Sequence, residues 1–105
     1  MTDKELLELA AKAAGIEVQE WRESYEAFKM KEPMLYWNPL TDDGDALRLA
    51  VKLKILVVIN KFSSSATDGS FDMENTETYH EDYDDSYTAT RRAIVVAAAE
   101  IGKTL

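Results

Sequence analysis

Ile55-Leu56-Val57-Val58-Ile59 is the stretch on which the reading of the whole chain turns. It is a short β-branched run with no polar alternation, so it reads as a strand that is apolar on both faces. A strand of that kind needs cover above and below, which predicts a central position between layers. Just downstream, Asn60 to Ser70 holds Ser63-Ser64-Ser65 and Asp68-Gly69 and reads as an exposed turn or loop. Phe71, Met73, Asn75, Glu77 and Tyr79 then alternate with Asp72, Glu74, Thr76 and Thr78. That period of two predicts a half-exposed strand with an acidic outer face, joined to 55–61 as a hairpin.

On the upstream side, Trp37-Asn38-Pro39-Leu40-Thr41 reads as a turn leading into a helix, because Asn-Pro favours turn initiation. Thr41 can cap that helix, and Asp42, Asp43 and Asp45 stand in its first turn, where the dipole favours negative charge. Leu47, Ala50 and Val51, widened by Leu40 and Leu53, form the expected inward stripe of a helix from about 42 to 53. Arg48, Lys52 and Lys54 fall on its later turns, the correct end for cations.

Both ends of the chain are helical by the same reasoning. Thr2 and Glu5 have capping-box spacing, Leu6, Leu9, Ala10 and Ala13 form one stripe, and Gly15 can close the helix in the left-handed conformation. Ser86 or Thr88 can cap a last helix holding Ala89, Ala93, Ile94, Ala97 and Ile101, with Gly102 as its expected stop. Its Ala97-Ala98-Ala99 run permits close approach to a sheet. Residues 16–36 carry two readings. Val18, Trp21, Tyr25 and Phe28 fit one face of a helix from about 18 to 31. The same residue types favour strands, and Pro33 ends any helix before Met34. Irregular structure with short strands near 18–22 and 34–37 is the reading adopted, with the helix as its alternative.

The order helix, short strand or strands, helix, strand, strand, helix predicts an α+β fold, a small antiparallel sheet sandwiched between helices. With 105 residues, no internal repeat and no long linker, a single domain over 1–105 is expected. The start, Met1-Thr2-Asp3-Lys4-Glu5, lacks the pattern of a signal peptide, and the longest apolar run is far below the roughly 20 residues a bilayer requires. Cysteine is absent, which excludes disulfides and thiolate metal sites. A cytoplasmic location is therefore expected.

Net charge is −8, and its position matters more than its size. Phe62 to Thr90 contains eight acids and no Lys or Arg, while the other twelve acids are matched by twelve bases. All the excess charge sits in one segment. Such a chain should repel nucleic acid and anionic membranes, which are bound through clustered Lys and Arg.

Candidate chemistry is sparse. Asp42, Asp43 and Asp45 beside Trp37 form the one cluster that invites a small-ligand or divalent-metal reading. Their spacing is not that of an EF-hand loop, and first-turn acids commonly answer the helix dipole. His80 with Glu81, Asp82, Asp84 and Asp85 lacks the second histidine of a zinc helix and reads as a solvated loop. Ser63, Ser64 and Ser65 have no base beyond His80, the four glycines are isolated, and no nucleophile elbow exists. Arg91-Arg92 reads as an intramolecular pairing element. The expectation is a non-enzymatic protein with no cofactor and no metal site.

Three separated stretches carry a resemblance. Glu5 to Gly15 (ELLELAAKAAG), Trp37 to Leu53 (WNPLTDDGDALRLAVKL) and Ala89 to Gly102 (ATRRAIVVAAAEIG) resemble, in this order, the phage "ABA sandwich" domain family. These are small proteins encoded by phages and prophages of enteric bacteria. The resemblance spans the three helices, somewhat under half of the chain. It implies a sheet between helical layers, a bacterial host cell as the setting, and no established activity. With the charge distribution, it leads to an expected accessory protein that binds a host or phage protein through Asp72, Glu74, Glu77, Glu81, Asp82, Asp84 and Asp85. In the sharpest version these carboxylates imitate DNA phosphates, as a host-defence inhibitor would. The alternative is a ligand- or metal-binding domain around Trp37, Asp42, Asp43 and Asp45. The edge of a small sheet would also allow a dimer.

Overall fold

The computed structural model describes residues 1–30, 35–69 and 76–105. Helix α1 (Asp3–Ala14) begins with the full capping box: the Thr2 hydroxyl accepts from the Glu5 N–H at 3.1 Å, and the Glu5 carboxylate accepts from the Thr2 N–H. It ends at Gly15, whose φ of 70° lets the chain turn away at once.

Three short strands follow among the described residues. β1 (Val18–Arg22), β2 (Ala27–Met30) and β3 (Tyr36–Trp37) make an antiparallel sheet in that order. Phe28 stands opposite both Trp21 and Trp37, and the Trp21 and Phe28 rings meet edge to face at 5.0 Å. The spacing that also suited a helix face instead brings aromatics together across a hairpin, where such pairs are worth about 1 kcal/mol. The strand reading of 18–22 is therefore correct and the helical alternative is not. Of the strand expected near 34–37, Tyr36 and Trp37 form β3, while Met34 and the helix-ending Pro33 lie outside the described residues.

Helix α2 (Asp43–Leu53) is capped by Asp42 rather than Thr41, its carboxylate accepting from the Asp45 N–H at 2.8 Å. The expected inward stripe is rotated. Ala46, Leu49 and Ala50 are buried, whereas Leu47 and Val51 are 65% and 67% exposed. Residues 46, 49, 50 and 53 form an equally good helical stripe. Two alanines let that face approach α3 closely, which bulkier Leu47 and Val51 would prevent.

The second sheet departs most from expectation. β4 (Leu56–Ile59), β5 (Ser63–Thr67) and β6 (Thr76–Tyr79) are antiparallel, with β5 in the middle. The apolar run is thus an edge strand, with Leu56, Val58 and Ile59 exposed. The serine-rich segment expected to be a loop is the central strand. Ser64 and Ala66 point inward and are fully buried, and their small side chains let a helix lie directly on the sheet. β6 pairs with β5 and not with the 55–61 strand. Residues 71–75 of the expected acidic strand, and Ser70 before them, lie outside the described residues.

That helix is α3 (Ser86–Lys103), wrapped by α1, α2, β5 and β6. Its cap is Asp85, not Ser86 or Thr88. Ala89, Ala93, Ile94, Val95, Ala97, Ala98, Ala99 and Gly102 are all buried. Gly102 does not stop the helix, which continues to Lys103. It faces α1 so closely that a Cβ there would stand 2.1 Å from the Leu9 carbonyl oxygen. The three helices and two small three-stranded sheets form an α+β fold in the order α-β-β-β-α-β-β-β-α. Among the described residues, no helix is long and apolar enough to cross a membrane.

Gly102→Ala should therefore destabilise the protein, by about 2–3 kcal/mol of overpacking, although alanine is the better helix former by roughly 1 kcal/mol. Urea denaturation reads the sign directly: a neutral or stabilising effect would mean that α1 and α3 do not meet there.

Candidate functional site

The acidic segment gathers where β6 turns into α3. The chain leaves the sheet at Tyr79, makes one turn of 3-10 helix over His80–Asp82, and starts α3 at Ser86. Glu77, Glu81, Asp82, Asp84 and Asp85 are all exposed along this corner. Asp72 and Glu74 lie outside the described residues. The ion pairs among the described residues join Arg22 to Glu20, Arg48 to Asp45 and Asp42, Arg91 to Asp43, Arg92 to Asp3, and Lys103 to Glu100. None of them reaches the corner.

Two of these carboxylates have local work. Asp85 accepts from the Thr88 N–H at 2.7 Å, and hydrogen bonding from Thr88 holds its carboxyl below the ordinary aspartate value. Glu77 takes the hydrogen bond of the Tyr79 hydroxyl, which together with the carboxylate charge pushes that phenol above its usual range. Glu81, Asp82 and Asp84 have no hydrogen bond or ion pair among the described residues.

Strand register adds an apolar neighbour. Val58, Ser65 and Glu77 share one row across the outer face of the second sheet, and Leu56 and Tyr79 project from the same face. Tyr79, Tyr83 and Tyr87 fall in β6, after the 3-10 turn and in α3 respectively.

The Trp37–Asp45 turn is organised differently from a metal site. Trp37 is buried as a packing anchor. Asp42 caps α2, Asp43 meets Arg91 at 2.6 Å, and Asp45 accepts from the Asn38 N–H at 3.0 Å and from Arg48 at 2.8 Å. Each of the three carboxylates is engaged within the protein, and Asp42 and Asp45 share Arg48. Among the described residues, no group of three or more His, Asp or Glu side chains is placed to hold a metal ion. The organising residue is Asn38, whose buried side chain accepts from the Leu40 N–H at 2.8 Å and donates to the Glu26 carbonyl. Its position before Pro39 marked a turn but not this role as a hub. Beside the turn, a groove of about 710 Å³ runs between the end of α1, the β2 and β3 strands and α2, with Trp37 and Asp45 on its wall.

Of the serines at 63–65, Ser64 meets His80, the one base available to them. Ser64 Oγ lies 3.0 Å from His80 Nε2 and 2.6 Å from Thr90 Oγ1, while the neighbouring Thr78 hydroxyl donates to the Ala89 carbonyl at 2.7 Å. Serine beside histidine is the start of a nucleophilic dyad. Ser64, however, has no exposed surface, so no substrate carbonyl can reach it. Ser64 serves as a polar tie from β5 to the 3-10 turn through His80 and to α3 through Thr90. Compared with protein-family models, curated proteins and solved structures, the chain matches none.

A pH dependence follows from the Asp85 cap. Because its folded-state pKa is depressed, its contribution is complete above the ordinary aspartate range and is lost as pH falls through the depressed value. Asp85→Asn keeps an acceptor oxygen but cannot titrate, so it should shallow the acid limb of the stability profile. Asp85→Ala should lower the urea midpoint at neutral pH as well. Denaturation across about pH 2 to 7 distinguishes the two variants. An unchanged acid limb in Asp85→Asn would show that the cap does not contribute.

Proposed function

We propose that this is a non-catalytic partner-binding module whose contact surface is the corner between β6 and α3. The observation that carries this reading is the set of Glu81, Asp82 and Asp84, exposed and without ion pairs among the described residues while the arginines are engaged within the scaffold. Unpaired surface carboxylates steer a basic partner and speed its encounter. The outer sheet face beside them supplies Leu56, Val58 and Tyr79, so apolar contact area and a charged rim are available together, as protein–protein interfaces require. Resemblance to the phage ABA sandwich family supplies the setting, a host or phage protein as partner in the bacterial cytoplasm. In its sharpest form the corner occupies a basic site that otherwise holds DNA phosphates.

A second reading, binding of a small ligand, is favoured by the groove beside Trp37 and Asp45. The carboxylates of that turn are already engaged, so this reading rests on the groove and not on a metal.

Reversing Glu81, Asp82 and Asp84 to Lys leaves the Asp85 cap untouched. Capture of a partner from phage-infected cell lysate should fall at least about tenfold, with circular dichroism and thermal midpoint unchanged. Duplex DNA should also compete for the captured partner if phosphate mimicry operates. Undiminished capture by the triple variant would reject this surface, and failure of DNA to compete would reject the mimicry.

A further inference from the structure

We infer that the groove bordered by α1, β2, β3 and α2 takes an organic anion with an apolar body, such as a medium-chain carboxylate. This rests on the second reading above, that the groove is a ligand site, and assigns its chemical class. The volume of about 710 Å³ falls within the roughly 300–1,000 Å³ of small-molecule sites. Ile16, Met30, Leu35 and Leu49 give it an aliphatic lining suited to a hydrocarbon chain.

Charge on the groove then selects the head group. Asp45 has one carboxylate oxygen on the Asn38 N–H and the other on Arg48, so its charge is answered within the protein. Glu17 is likewise engaged. Lys52 is exposed and has no ion pair among the described residues. Arg48 spends one guanidinium nitrogen on its two aspartates, at 2.8 and 3.9 Å, and retains further N–H donors. With Asp45 and Arg48 paired to each other and Glu17 engaged, the unpaired charge on the groove is the Lys52 ammonium, on the rim of an apolar channel. None of the lining residues belongs to the acidic 62–90 segment. A carboxylate at Lys52 and Arg48 with its chain over Leu49 and Met30 satisfies both features.

Octanoate and octylammonium share a chain and differ in the sign of the head, which separates the class from the site. In NMR titrations of the full chain at low ionic strength, octanoate should give saturable shifts at Ile16, Met30 and Leu49, and octylammonium should bind at least about tenfold more weakly. Lys52→Glu, an exposed substitution, should reverse that order. Equal or tighter octylammonium binding in the groove, or an order unchanged by Lys52→Glu, overturns the anion assignment and leaves the groove as a ligand site. Absence of shifts at those residues with either probe overturns the assignment and the groove reading together.

Discussion

The fold depends on how closely α3 can be approached. At Gly102 the Leu9 carbonyl of α1 lies where any other residue would place its Cβ, and the adjoining surface of α3 is alanine at 93, 97, 98 and 99. What meets α3 elsewhere is small too: Ala46 and Ala50 from α2, Ser64 and Ala66 from β5. Small residues bury less apolar area each, so stability here comes from close contact of backbones as much as from bulky side chains. The larger buried residues, such as Leu7, Leu49, Phe28 and Trp37, fill the spaces between elements once the helices have been set.

Close packing of a helix end on a sheet brings polar groups inside, and the chain satisfies them. Ser64, Thr78, Thr90 and His80 bond one another or nearby carbonyls beneath the first turns of α3. Among the described residues, no buried side-chain nitrogen or oxygen lacks a partner. Arg91 extends the network to the Leu40 carbonyl and Asp43, and Arg92 reaches Asp3, so α3 is tied to the starts of both other helices. This arrangement links architecture to charge. Arginines that could have neutralised the 77–85 corner point instead toward α1 and α2, and the corner keeps its negative potential because of the way the scaffold is fastened.

The helices were legible in the sequence because caps and a period near 3.6 act locally. Thr2, Glu5 and Gly15 do what their spacing implies. What misled was any inference that needed a neighbour. Strand propensity made Ile55–Ile59 the natural centre of the sheet, yet the central position went to Ser63–Thr67, chosen by the need for small side chains under α3. Leu47 and Val51 lost the inward face of α2 for the same reason. Gly102 read as a stop when its role is contact, since a glycine that ends a helix and one that admits a neighbour look alike in a string of letters. Of the candidate sites, the acids of the corner were visible as a charge run. The groove was not, because its lining comes from four elements whose juxtaposition only the fold creates.

An apolar strand on an exposed edge ordinarily invites pairing with a second copy. β4 has Leu56, Val58 and Ile59 exposed, so the charges that flank it decide whether such pairing is favourable. Lys54 precedes the strand at a positive φ of 55°, and Lys61 follows it, its ammonium 5.5 Å from the Phe62 ring. Aligning two copies of β4 antiparallel, Leu56 against Ile59, also sets Lys54 of each against Lys61 of the other. Like charges directly opposed across strands are destabilising, and edge lysines are a common means of keeping edges unpaired. The same two cations do not penalise a chain that carries acids or no charge at those positions. The edge thus disfavours pairing with its own copy although Leu56 and Val58 remain exposed along it.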